Sequence, residues 1–163
     1  MELAKANTIA EEVQARLAPL CEPDRCVIAG SIRREVPYVR DIDLVCIPAN
    51  QGQFYYALQQ LGTIKLGGQK LIRVIRPDIE LDIYVSTPET WATLLLIRTG
   101  SKGHNIRLCS LAKRKGMKLH ADGSGLFRLT NSYEEPEVRI AGDTEESIFA
   151  TLGLTYKRPE DRT

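Results

Sequence analysis

Asp41 and Asp43 open the apolar run Asp41-Ile42-Asp43-Leu44-Val45-Cys46-Ile47, and a third acid, Asp82, stands in the alternating stretch DIELDIYVS, residues 78–86. In a strand, alternate side chains share a face. Asp41 and Asp43 therefore point one way while Ile42, Leu44 and Cys46 point the other. In the later stretch Ile79, Leu81, Ile83 and Val85 make the apolar face, which leaves Glu80, Asp82 and Tyr84 opposite. If the two strands are neighbours, Asp41, Asp43 and Asp82 converge on one patch of sheet. Three such carboxylates repel one another unless a cation joins them. Hard oxygen donors of this kind suit Mg²⁺ or Mn²⁺ far better than zinc. A lone Asp-x-Asp is ordinarily a solvated strand edge, so the case rests on what surrounds it.

Gly30-Ser31 lies just upstream, followed by Arg33 and Arg34. Glycine lets backbone approach a ligand closely, and a serine hydroxyl with adjacent amides can hold phosphate oxygens. Arginine's planar fork matches phosphate. A Gly-Ser turn, two arginines, an Asp-x-Asp pair and a third acid on a later strand together describe a site for a polyphosphate and the cation that bridges it.

The elements that must position these groups follow from periodicity. Leu3, Ile9, Ala10, Val13, Leu17 and Leu20 have helical spacing, with Pro23 as the stop; Val27–Ala29 is a short strand; residues 41–47 form a second strand, stopped by Pro48. A helix over Phe54–Leu61 precedes strand-like runs at 62–66, 70–76 and 79–85. From Pro88 helix signals take over, break at Gly100, resume at Ser101 and stop at Gly116. Short strands near 117–120 and 126–129, a polar loop and a helix over 145–152 complete the chain. The expectation is an α+β protein: a mixed-sheet lobe with flanking helices over residues 1–87, then a small α+β lobe over 88–163.

With 163 residues and 43% hydrophobic content the chain can bury a real core, and its net charge of +1 says nothing about partners. The charged start (Met1–Lys5) is unlike a signal peptide, and no apolar run approaches the ~20 residues of a membrane span. A soluble, cytoplasmic protein is expected. Cys21, Cys26, Cys46 and Cys109 form no CxxC pair and are expected to be free thiols in a reducing compartment.

The order of these motifs resembles the nucleotidyltransferase superfamily and, more narrowly, the DNA polymerase X family. "GSIRR" is similar to that family's triphosphate-binding turn, which implies Gly30, Ser31 and Arg34 as nucleotide contacts. "DID" is similar to its metal-binding pair, and Asp82 matches the third carboxylate, which in the family draws the proton from the primer 3′-hydroxyl. "RTGSKGHNIRLCSLAKRKGMKL" (98–119) and "IFATLGLTYKRPEDR" (148–162) resemble the family's thumb and C-terminal signature. The resemblance names the two lobes palm (1–87) and thumb (88–163). It adds Gly100, Ser101 and Asn105 as nucleotide-binding positions, the last toward the base in the minor groove.

From Ile97 to Lys118, inclusive, there are seven basic residues and no acid. A solvated helix face explains such a run by itself; beside a metal-triphosphate site it reads as a track for a nucleic-acid backbone. Arg98, Lys102, Arg107, Lys113, Arg114 and Lys115 are the expected DNA contacts. Ser101 is placed to cap the following helix. The pattern departs from the family at Ile97-Arg98, where Tyr-Phe is usual, and at Cys109, where an arginine often leans on the template base; both bear on sugar selectivity and copying accuracy. No N-terminal lobe precedes the first helix, so the resemblance implies neither a deoxyribose-phosphate lyase nor a downstream gap grip.

These readings point to a monomeric DNA polymerase that uses Mg²⁺, or Mn²⁺, to add dNTPs to a primer-template or gapped duplex, in gap-filling repair. A nucleotidyltransferase acting on RNA ends, a small molecule or a protein, and a catalytically silent nucleotide or nucleic-acid binder, are the alternatives. Trp91 is expected to pack with Leu94 and Leu95, His104 to lie at the surface, Glu80 to be a supporting or solvated acid, and Tyr38 to stiffen the loop before Asp41.

Overall fold

In the computed structural model, which describes residues 1–163, the chain divides into two compact units, Met1–Thr87 and Pro88–Thr163. The first is built on a five-stranded mixed sheet of order β1-β2-β5-β4-β3. Its elements are α1 (Leu3–Leu17), β1 (Cys21–Ile28), α2 (Gly30–Arg33), β2 (Asp41–Pro48), α3 (Gln51–Leu61), β3 (Thr63–Gly67), β4 (Leu71–Ile75) and β5 (Glu80–Val85). Helix α1 forms because Ala6, Ile9, Ala10, Val13 and Leu17 recur at three- and four-residue intervals and bury one stripe. Asn50 caps α3 by accepting from the Gln53 N–H at 3.0 Å.

Strand β2 is the spine of this unit. Ile42, Leu44, Val45 and Cys46 are fully buried, and each aliphatic side chain so placed is worth roughly 1.5–3 kcal/mol relative to exposure. It pairs antiparallel with β1 and parallel with β5. The parallel pairing follows from connectivity: β3, β4 and β5 run as an antiparallel meander, which returns β5 in the direction of β2.

Three expectations change here. Pro23 does not terminate a helix; α1 gives way to a single 3₁₀ turn (Ala18–Leu20), and Pro23 lies inside β1. That strand has eight residues, longer than Val27–Ala29 suggested, because a bulge between Cys21 and Cys26 absorbs Pro23, which has no N–H to donate to a regular ladder. Gly30–Arg33 winds into one helical turn.

The second unit contains α4 (Trp91–Thr99), α5 (Lys102–Arg114), β6 (Met117–His120), β7 (Gly125–Leu129), β8 (Glu137–Ala141) and α6 (Glu145–Thr151). Strands β6-β7-β8 form an antiparallel sheet. Its core joins Leu96, Ile97, Leu108, Ala112, Leu119, Leu126, Ile148, Phe149 and Leu152. Strand β8 falls where a polar loop was expected: Glu137-Val138-Arg139-Ile140-Ala141 alternates for only five residues, and pairing with β7 decides its state. The capping box at Thr144 and Ser147 starts α6. No helix is long and apolar enough to cross a membrane.

The C-terminal segment is pinned by Arg162, which is 1% exposed. It donates to a Glu145 carboxylate oxygen at 2.9 Å and to the Lys157 carbonyl at 3.0 Å. Its guanidinium stands 5.5 Å from the Phe149 ring and 5.4 Å from that of Tyr156. His104, expected at the surface, is 3% exposed and lies 5.7 Å from the Phe149 ring. The helical phase of α5 turns it inward with Leu108.

Candidate active site

The parallel register sets Asp41 opposite Glu80 and Asp43 opposite Asp82. Paired residues in register face the same side of a sheet, so all four acids share one face. The other face buries Ile42 and Leu44 from β2 and Leu81 and Ile83 from β5. Asp41 is exposed, Asp43 half-buried and Asp82 buried at 4% exposure.

A residue that sequence reasoning missed completes this face. Arg73, at the centre of β4, is paired with Asp82. It grips the carboxylate through two bonds, Nε to Oδ1 and Nη2 to Oδ2, each 2.6 Å. A second carboxylate, Glu80, lies 3.7 Å from Arg73 Nε. The bond to Asp82, reinforced by its charge, raises the pKa of Arg73 further above the usual arginine value. One cue was present: a single charge between Ile72 and Val74 must face away from the core, which here means toward the acids.

The backbone before β2 is shaped around Asp43. Ala29 N–H donates to the Asp43 carbonyl at 2.8 Å, and Gly30 then adopts φ +58°. A Cβ at Gly30 would collide with Asp43 Oδ2 and lie 2.7 Å from its Cγ. Glycine is thus required twice, for its left-handed backbone and for the close approach of the carboxylate. In the turn that follows, Ser31 Oγ is buried without a hydrogen-bond partner. Burial pulls the pKa of the nearby Arg34 down while the charge of Asp43 opposes the shift.

The carboxylates share a face without forming a tight cluster. The one group of three metal-ligand side chains whose donor atoms all lie within 4.8 Å of one another is Cys21, Cys26 and Cys46; Asp82 is turned onto Arg73. As oxygen donors, Asp41, Asp43 and Asp82 still fit a hard divalent cation, and the orphaned Ser31 hydroxyl fits an oxyanion.

In the second unit, Gly100 (φ +70°) and Ser101 make the bend between α4 and α5. Ser101 Oγ accepts from the His104 N–H at 3.1 Å, capping α5. Asn105 donates through Nδ2 to the Ile97 carbonyl at 2.8 Å, and its Oδ1 is buried with no partner. Of the expected DNA contacts, Lys102, Lys113 and Arg114 are exposed and Arg98 is half-buried. Lys115, although exposed, donates its ammonium to the Leu152 carbonyl at 2.7 Å, and Arg107 donates to the Thr163 carbonyl. Ile97 is buried and Cys109 half-buried.

Comparison with known proteins defines the class first. Over its whole length the chain matches polymerase beta of Leishmania infantum, solved as a ternary P/T complex, with a TM-score of 0.80 at 20% identity and over 76% of that chain. The fold is therefore the mixed α+β fold of polymerase beta. Residues 94–163 match the DNA polymerase beta thumb family. The DNA polymerase/3′-5′ exonuclease PolX of Bacillus subtilis is 28% identical over 96% of this chain and 27% of its own length. The repair DNA polymerase X of African swine fever virus, isolate Warthog/Namibia/Wart80/1980, is 27% identical over 83% of this chain and 80% of its own. The chain thus spans about a quarter of the bacterial relative and about four fifths of the viral one. Over most of its length it is similar to DNA polymerases of family X.

Proposed function

We propose that this chain is a DNA-directed DNA polymerase of family X that adds deoxynucleotides to a primer 3′-hydroxyl in repair, with the first unit acting as palm and the second as thumb. The observation that carries the reading is the in-register pairing of β2 with β5, which sets Asp43 beside Asp82 with Asp41 on the same face.

Asp41, Asp43 and Asp82 would hold the divalent cation, Mg²⁺ or Mn²⁺. When bound, it supplies charge neutralisation for the triphosphate and makes the primer hydroxyl easier to ionise. Asp82 accepts the hydroxyl proton, directly or through water. Arg73 orients this carboxylate through its two bonds, and Asp82 must loosen at least one of them as it takes up the proton. The oxygen so activated attacks the α-phosphorus in line, and pyrophosphate leaves. Ser31 and Arg34 take up the negative charge of the leaving group; the unpartnered Ser31 hydroxyl is ready to donate without giving up an existing bond. Gly30 keeps that turn against Asp43. In the thumb, Asn105 Oδ1 and the Gly100-Ser101 bend serve nucleotide binding, and Lys102, Lys113, Arg114 and Arg98 serve the DNA backbone.

The test uses labelled recessed-primer and one-nucleotide-gapped duplexes, with dNTPs or rNTPs and Mg²⁺ or Mn²⁺ in turn. Extension of the primer by deoxynucleotides, lost on chelation, is expected. Nucleotide transfer that proceeds without nucleic acid, or no transfer at all with binding intact, would overturn the proposal.

A further inference from the structure

On the side of the sheet away from the acids, three of the four cysteines meet. Cys26 on β1 and Cys46 on β2 are directly paired across the strands, with Cys46 Sγ donating to Cys26 Sγ at 3.6 Å. The bulge in β1 returns Cys21 to the same spot, and all three Sγ atoms lie within 4.8 Å of one another. Their exposures are 8%, 6% and 0%, and none is in a disulfide. No histidine or carboxylate joins the cluster, which is part of the apolar core around Val13, Leu17 and Leu44.

The spacing suits a single ion. A thiolate–metal bond of about 2.3 Å puts three sulfurs arranged in a plane around the ion about 4.0 Å apart. Structural zinc sites are almost always four-coordinate, and here nothing supplies a fourth donor. Soft thiolates without harder partners select Cu(I). We propose that Cys21, Cys26 and Cys46 form a three-coordinate thiolate site for a soft monovalent cation, Cu(I). Each thiol that ligates releases its proton to solvent, and no electron changes hands. The ion would tie the bulged start of β1 to β2, the two strands that lead to Gly30-Ser31 and carry Asp41 and Asp43. The site stands or falls independently of the polymerase activity.

The experiment titrates the reduced full-length chain with Cu(I) under anaerobic conditions, in competition with the chromogenic chelator bicinchoninate. One equivalent per chain should leave the chelator, and X-ray absorption should find three sulfurs at about the thiolate–metal distance. Cys109→Ser should leave the stoichiometry unchanged, while Cys21→Ser and Cys46→Ser should each weaken binding by at least about tenfold, or ~1.4 kcal/mol. Should either variant fail to fold, the absorption spectrum of the unmodified chain decides. Copper retained by the chelator, copper lost with Cys109, a shell of fewer than three sulfurs, or preferential four-coordinate binding of Zn(II) would each overturn the proposal.

Discussion

Asp82 and Arg73 make the sharpest contrast among single residues. Asp82→Asn keeps the size of the side chain but removes the proposed proton acceptor, so kcat for primer extension should fall by about 10²–10⁴-fold, the usual contribution of a positioned general base. Because Arg73 is about a third exposed (35%), water can replace the lost charge partner, and the variant should still melt cooperatively near the parent temperature. Arg73→Ala acts differently. It leaves the acceptor in place but removes both bonds that turn it, and with them a competitor for the cation. Half-saturation by Mg²⁺ should move to lower concentration, while kcat falls less than in Asp82→Asn. Steady-state rates across a Mg²⁺ titration separate the two. A KM or kcat pattern identical for both variants would show that Arg73 does not position Asp82.

At the scale of elements, the turn before β2 and the C-terminal strap bear the structural load. Gly30→Ala forces a Cβ into the Asp43 carboxylate and an L residue into a left-handed conformation, which alone costs roughly 1–2 kcal/mol. Extension activity should collapse together with a measurable fall in Tm. Arg162→Met should cost more in stability and tells of a different contact: it breaks the buried ion pair with Glu145, 7% exposed, at about 3–5 kcal/mol. Adding Glu145→Leu should restore much of the loss, and a thermal double-mutant cycle checks it. Additive effects of the two substitutions would show that the pair is not coupled. The C-terminal run "YKRPEDR" stood out as a motif, yet its work, a buried guanidinium between two aromatic rings, was visible only once α6 and residues 157–162 met.

For the whole molecule, charge distribution outweighs net charge. At +1 overall, the proposed attraction to a duplex would come from the local basic surface of α5. Lys102 and Lys113 lie three turns apart on one row of that helix, and Arg107 and Arg114 form another about 120° away. Since Arg107 and Lys115 are already bonded within the chain, Lys113 and Arg114 are the better phosphate contacts. Duplex affinity should fall linearly in a log–log plot against salt, and Lys113→Ala/Arg114→Ala should flatten the slope by about two. Anisotropy titrations at several salt concentrations measure this; an unchanged slope would remove both residues from the interface. Withdrawal of divalent cation with EDTA should abolish extension while leaving the melting curve in place, because the core around Ile42, Leu44 and Ile83 owes nothing to it.

Much of this was legible along the chain because it depends on local period. The alternation at Asp41–Ile47 and 79–85 placed the acids on the polar faces of two strands, and the breaks at Gly62, Gly100 and Gly116 bounded the helices. Residue order alone also carried the likeness to family X. The short helical turn at Gly30, the bulge that absorbs Pro23 and the strand at 137–141 were not legible, since each depends on a partner remote in sequence. The tertiary structure alone decided that β5 returns parallel to β2 with Asp43 against Asp82, that Arg73 arrives from β4 to hold that acid, and that three cysteines spaced 5 and 20 residues apart share one pocket. Side-chain periodicity says which way a group points, but pairing register, a long-range choice made by burying the opposite face, says what it meets.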